Sequence, residues 1–207
     1  MLYAAAHLPP APCSACLSAP PPWDTLTFLT PYDALMRHCI LRFKFHGALE
    51  LGPLFGTLLA RRIMAKTRIS PTEGPNDSTL VVPIPLHSKR LRERGYNQTL
   101  EISRSLAHAL ALPLRPDLLR RAVSTPHQIG LTRAQRQQNL VSAFAPRPSD
   151  DVSHLHAAHP DIAGASLLLV DDIMTTGSTL TAAALCLKAA GAATIHVAVA
   201  ARTPEHP

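Results

Sequence analysis

Aromatic residues make up only 4% of this 207-residue chain, and Trp23 is its single tryptophan. Few side chains are therefore available for the base stacking that usually holds single-stranded nucleic acid. Nowhere does the sequence contain the roughly 18 consecutive apolar residues of a membrane-spanning helix. Met1–Pro12 also lacks the charged start and long apolar centre of a secretory signal, so a cytoplasmic protein is expected. Cysteine occurs four times. Cys13 and Cys16 form a CxxC pair that can place two thiolates on one Zn2+, but no second pair follows to close a tetrahedral site. Cys39 and Cys186 lie in apolar helical runs and read as small buried hydrophobes.

What is present fits one ordinary α/β core with a small appendage: 46% of residues are hydrophobic. Lys and Arg number 20 against 14 Asp and Glu, a formal charge of +6. Such a surface attracts polyanions, phosphorylated metabolites and nucleic acid alike, and modest basicity also serves solubility alone. Residues 1–23 carry six prolines, too many for a helix or a central strand, and read as an arm outside the core.

Along the rest of the chain, apolar strands alternate with helical spacing. "TLTFLTPY" predicts a short strand. "YDALMRHCILRFKF" predicts a helix ended by Gly47, and a second helix is expected over Leu51–Lys66. "TLVVPIP", Thr79–Pro85, is a compact β-branched run, and Asn97–Leu112 keeps Ile102, Leu106 and Leu110 on one stripe of a helix. Ser124–Asn139 contains only two large apolar residues, Ile129 and Leu131, and reads as an excursion from the core; Ser149–Asp161 reads as a solvated polar loop. "ATIHVAVAART" closes the chain as a strand. Together these predict a parallel sheet flanked by helices on both faces.

The chemistry gathers in "SLLLVDDIMTTGSTLTAAALCLKAAG", Ser166–Gly191. An apolar central strand ends in Asp171 and Asp172. A loop of Thr175, Thr176, Gly177, Ser178 and Thr179 then opens a helix that Gly191 suits as a stop. Ligands of parallel sheets bind beyond the carboxyl ends of strands, and a helix N-terminus there favours phosphate. No lysine lies in the loop, so it is not a Walker A motif, and it does not read GxGxxG. Two acids would repel a bare phosphate. A ligand with a phosphate at one end and a vicinal diol nearby satisfies both halves, with the acids outside the core and facing the diol.

"LLLVDDIMTTGST" resembles the signature of type I phosphoribosyltransferases. "VVPIPLHSKRLRERGYNQTLEISRSLAHALALPL", "TPHQIGLTRAQRQQNLVSAF" and "LKAAGAATIHVAVAART" further resemble the ComF/GntX group of phosphoribosyltransferase-like proteins, from about Pro12 to the end. The resemblance implies an arm at 1–23, the remnant of a zinc-binding segment, before a phosphoribosyltransferase-like domain at 24–207. It implies that Asp171 and Asp172 take the ribose hydroxyls of 5-phosphoribosyl-1-pyrophosphate (PRPP), that the loop takes the 5′-phosphate, and that Mg2+ accompanies the ligand. "PIPLHSKRLRERGYNQ" falls where related enzymes bind pyrophosphate. Lys89, Arg90, Arg92 and Arg94 put four cations within six residues there, suited to a dense polyanion or to a solvated face. Tyr96, Asn97 and Gln98 are helix-start and loop contacts. Arg133 and Arg136, with Gln128 and Asn139 nearby, fall in a segment resembling the loop that closes over substrate, a catalytic role. In "LRFKFHG", Lys44 is a candidate to reach the site, whereas Phe43 and Phe45 are expected to pack.

Three functions remain open from the sequence: a phosphoribosyltransferase with an unidentified acceptor, an accessory protein of natural transformation that handles single-stranded DNA alongside competence proteins, and a PRPP-sensing regulator. The salvage-type resemblance stops at Thr175, which stands where those enzymes carry an acid and cannot act as a general base at neutral pH.

Overall fold

The computed structural model describes residues 17, 20–66, 79–121, 143–147 and 160–204. In chain order the elements are β1 (Thr25–Pro31), α1 (Ala34–Phe45), α2 (Leu51–Lys66), β2 (Leu80–Pro83), α3 (Ser88–Arg94) and α4 (Gln98–Leu110). There follow β3 (Leu119–Arg121), β4 (Phe144–Pro146), β5 (Ser166–Met174), α5 (Ser178–Ala189) and β6 (Thr194–Arg202). β1, β6, β5 and β2 lie side by side in that order as one parallel sheet, and β3 pairs with β4 as a separate antiparallel ribbon.

Strand alternation divides the core in two. Leu167 and Leu169 of β5, with Ile195, Val197 and Val199 of β6, pack with Leu180, Ala183, Ala184 and Leu187 of α5. Leu168 and Val170, with Ala198 and Ala200, pack against Ile40 and Phe43 of α1, Phe55 and Leu59 of α2, and Ile102 and Leu106 of α4. Both faces of the sheet are thus covered by helices, as the interleaved pattern predicts. Cys186 is buried in the α5 layer, and its thiol is pushed up to about 11 by that burial.

Caps fix where the helices begin. The Asp33 carboxylate accepts from the Met36 amide at 2.8 Å to start α1, and the Asn97 side chain accepts from the Thr99 amide to start α4. The Thr99 hydroxyl donates to the Ile84 carbonyl at 2.6 Å, so the head of α4 is fastened to the end of β2. β2 is shorter than the expected Thr79–Pro85. Pro83 and Pro85 have no N–H to give the ladder, and after the Ile84 amide bonds Val170 the chain turns away into α3.

α2 and α4 cross at Gly56. A Cβ there would lie 2.4 Å from the Ile102 carbonyl oxygen and 2.9 Å from the Leu106 amide nitrogen, both backbone atoms that cannot swing aside. Alanine's higher helix propensity is worth about 1 kcal/mol, and forcing a methyl group into a packed contact costs about 1–3 kcal/mol. With contacts this short the second effect wins. Gly56→Ala is expected to lower stability by about 2 kcal/mol, read as a lower urea midpoint; an unchanged midpoint would mean that the helices do not meet there.

Candidate functional site

β5 carries Leu167, Leu168, Leu169 and Val170 through the centre of the sheet, each nearly inaccessible, and then delivers Asp171 and Asp172. Adjacent strand residues point to opposite faces, so the two acids part. Asp172 turns toward α1, where the Lys44 ammonium bonds both carboxylate oxygens, at 2.9 and 2.8 Å. Asp172 is 6% exposed, so it lies within the protein rather than outside the core as the sequence suggests. Lys44 belongs to the last turn of α1, one residue after the fully buried Phe43, which anchors it.

Asp171 lies opposite Val199 of β6, on the α5 side. Its carboxylate accepts from the Asp172 amide at 2.8 Å. Burial first, and the charge of Asp172 second, push the Asp171 carboxyl up to about 7, while the bond from the Asp172 amide, Lys44 and Arg121 pull it back. Arg121 comes from β3, with its guanidinium over the Phe144 ring at 5.4 Å. Its own pKa is lowered by burial, then by Arg90, against the opposing pull of Asp171.

A cleft of about 500 Å³ opens beside the pair, lined by Lys44, Phe45, Gly47, Arg90, Glu93, Arg94 and Tyr96. Arg94 stacks over the Phe45 ring at 4.9 Å and donates to the Oε1 of Gln98, a fully buried side chain. The Tyr96 hydroxyl donates to the Phe43 carbonyl, and burial is the main cause that raises its pKa. One cavity thus joins the cation-rich segment to the lysine that grips Asp172. α3 has no buried residue, and Lys89 projects from it into solvent, 4.0 Å from Glu93 and not itself part of the cleft lining. Phe45 is 62% exposed at the mouth of the cleft rather than packed, because the chain ends α1 there and turns through Gly47.

Past Met174, Gly177 has φ +74°, a left-handed conformation that suits glycine, and a Cβ on it would lie 2.8 Å from the Met174 methyl carbon. Thr175, Thr176 and Ser178 are exposed and Thr179 is half-buried. The Thr176 hydroxyl bonds that of Ser178 and accepts from its amide at 3.4 Å, and Gly177 caps α5 with no side chain. The first amides of a helix have no partner within it, and that of Ser178 donates instead to the Thr176 hydroxyl. Cys13, Cys16, Gln128, Arg133, Arg136 and Asn139 lie outside the described residues.

Among the described residues no three of His, Cys, Asp and Glu cluster to hold a metal ion. Mg2+ is held by one or two carboxylates together with water and ligand phosphates rather than by an all-protein cage, and the Asp172 oxygens keep lone pairs beside their bonds from Lys44, so the acid pair is compatible with a metal that accompanies a phosphorylated ligand.

Residues 103–207 match the model of the phosphoribosyl transferase domain, a span that contains β5, the acid pair, the loop and α5. The chain belongs to the phosphoribosyltransferase family. It is 32% identical over 199 residues to "DNA utilization protein YhgH" of Salmonella typhimurium, covering 96% of this chain and 81% of that one. It is 30% identical over 185 residues to "Competence protein F" of Haemophilus influenzae, covering 89% and 76%. These two relatives place the chain in the ComF group of the family. A glutamine PRPP amidotransferase from Bacillus subtilis, solved with ADP and GMP, is similar at 19% identity and a TM-score of 0.43, over 72% of this chain and 25% of that one.

In this family site the proton on Asp171 carries a consequence for stability. A carboxyl that titrates near 7 when folded and near 3.8 otherwise holds its proton in the folded chain between those values. The folded chain therefore loses stability as pH rises through that window and recovers none above it. Asp171→Asn is expected to remove the loss: relative to wild type, its urea midpoint should be higher at about pH 8 than at about pH 4. A wild-type-to-variant difference that stays constant across the window would show that Asp171 titrates as an ordinary surface acid.

Proposed function

We propose that the protein binds PRPP at the end of β5 and acts as a phosphoribosyltransferase toward an acceptor not yet identified. What carries this reading is the juxtaposition of a recessed acid pair, a cation-lined cleft on one side and, on the other, a helix start whose cap, Gly177, has no side chain. The ribose diol would donate to Asp171 and Asp172. The 5′-phosphate would accept from the backbone and hydroxyls of Thr175–Thr179. Pyrophosphate would occupy the cleft against Arg90 and Arg94, where planar guanidinium groups make charge-assisted hydrogen bonds to phosphate oxygens.

The reaction would break the bond between the anomeric carbon and pyrophosphate while a nucleophile forms a new one. These residues would hold the sugar, turn it, and stabilise the negative charge that builds on the leaving pyrophosphate. No helix of the described residues is long and apolar enough to cross a membrane, and a cytoplasmic location belongs to this reading.

A second reading is favoured by the names of the relatives, "DNA utilization protein" and "Competence protein", together with the +6 charge. In it, the same cations hold the phosphates of single-stranded DNA, either with no turnover or with PRPP acting as a signal.

Calorimetric titration with PRPP and Mg2+, followed by assay for released pyrophosphate across candidate nucleophiles, separates these readings. Binding that Arg90→Ala weakens by roughly 10- to 100-fold, the range for a lost charged hydrogen bond, is expected. Pyrophosphate release identifies the transferase; saturable binding without release identifies a sensor. DNA affinity that falls steeply with salt while PRPP does not bind would replace both with the nucleic-acid reading.

A further inference from the structure

Gln98 is the first residue of α4 and is fully buried, yet the two ends of its amide are treated unequally. Its Oε1 accepts from Arg94 Nη1 at 3.1 Å. Its Nε2 is buried and completes no hydrogen bond among the described residues. Burial raises the Tyr96 pKa and the Gln98 amide pulls it back, while the Tyr96 hydroxyl itself donates to the Phe43 carbonyl. A guanidinium carries donors only, so the oxygen has to face Arg94 and the NH2 is left over. An unpaired buried donor is costly and calls for a reason.

Arg94 supplies one. α3 buries no residue and ends at the left-handed Gly95, so its own packing does not fix where its arginines point. The first turn of α4 is bolted to the sheet. Asn97 Nδ2 and the Thr99 hydroxyl both donate to the Ile84 carbonyl, at 3.3 and 2.6 Å, and the Ile84 amide donates to the carbonyl of Val170, the residue before Asp171. Gln98 lies between Asn97 and Thr99, so its bond refers Arg94 to the strand that carries the acid pair. The same guanidinium lies over the Phe45 ring at 4.9 Å. One acceptor and one ring hold it, and the rest of its N–H fork is left for phosphate oxygens in the cleft.

We propose that Gln98 is a positioning residue that holds the Arg94 guanidinium in the cleft, with its charge uncancelled, so that pyrophosphate meets it already oriented. This inference rests on the PRPP reading above and names a residue that serves that site without lining it. A carboxylate in the same place would hold Arg94 more tightly and cancel the charge the ligand needs. With the amide, the rotamer freedom of a long side chain is given up on folding rather than on binding.

The test is calorimetry with PRPP in excess Mg2+ on the full chain, for Gln98→Met in the wild-type background and in an Arg94→Ala background, with a urea melt of each. Gln98→Met is expected to weaken binding by about 3- to 10-fold, the range for one hydrogen bond. Its urea midpoint should not fall, since methionine removes the unpaired donor. In the Arg94→Ala background the same substitution should change affinity by less than about twofold. A Gln98→Met variant with wild-type affinity overturns the inference and leaves the PRPP reading standing. A fallen midpoint with equal losses in both backgrounds marks a structural residue and overturns it too. Absence of binding by wild type overturns the PRPP reading itself. Should Gln98→Met fail to fold, Gln98→Asn, which keeps the amide but is one methylene too short to reach Arg94, decides by the same comparison.

Discussion

Two carboxylates at the end of a buried strand cannot both carry charge unless cations stand beside them, and this constraint organises the whole site. The strand itself is fixed by the core: four consecutive apolar residues of β5 are sealed between α5 on one face and α1, α2 and α4 on the other. Once that registry is set, Asp171 and Asp172 must emerge where they do, one toward each face. Cations then come from three separate elements. α1 supplies Lys44, β3 supplies Arg121, and α3 supplies Arg90 and Arg94.

The same constraint links stability to function. Removing one partner of a fully buried ion pair costs about 3–5 kcal/mol, and the cost here lies toward the lower end because Lys44 retains some contact with water. The site is therefore part of the fold rather than an ornament on it. α3 is the opposite case. It buries nothing, ends at the left-handed Gly95, and carries its arginines on a segment tied down mainly by Gln98 and the stacking of Arg94 on Phe45. A rigid acid pair thus faces a lightly anchored cationic wall, an arrangement suited to admitting and releasing a highly charged ligand.

Much of the framework was legible in the sequence because it is local. The helix over Leu51–Lys66, the stripe of Ile102 and Leu106, the Asn97 start of α4, and the step from β5 through Gly177 into α5 all follow from spacing, caps and glycine placement. The acid pair was visible for the same reason. What could not be read was non-local. The pairing of Leu119–Arg121 with Phe144–Pro146 joins strands of three residues each, too short to show a period, and it is this pairing that brings Arg121 beside Phe144 and toward Asp171. The burial of Asp172 depends on where α1 ends, and the exposure of Phe45 on how the chain leaves that helix. Within the "KRLRER" run, composition does not distinguish Lys89 from Arg90. Only the orientation of α3 turns one to solvent and the other to the cleft.

The match to the phosphoribosyl transferase domain supplies the family, and the local geometry shows how this member is built. Thr175 cannot serve as a base, so an acceptor whose attack needs proton removal must find its base elsewhere or arrive already nucleophilic. The most direct measurement of the central claim is a carbon-13 NMR titration of carboxyl-labelled aspartate with PRPP. The resonances of Asp171 and Asp172 are expected to shift together and saturably, with those of exposed aspartates unmoved. Saturable PRPP binding that leaves both carboxyl signals in place would contradict it.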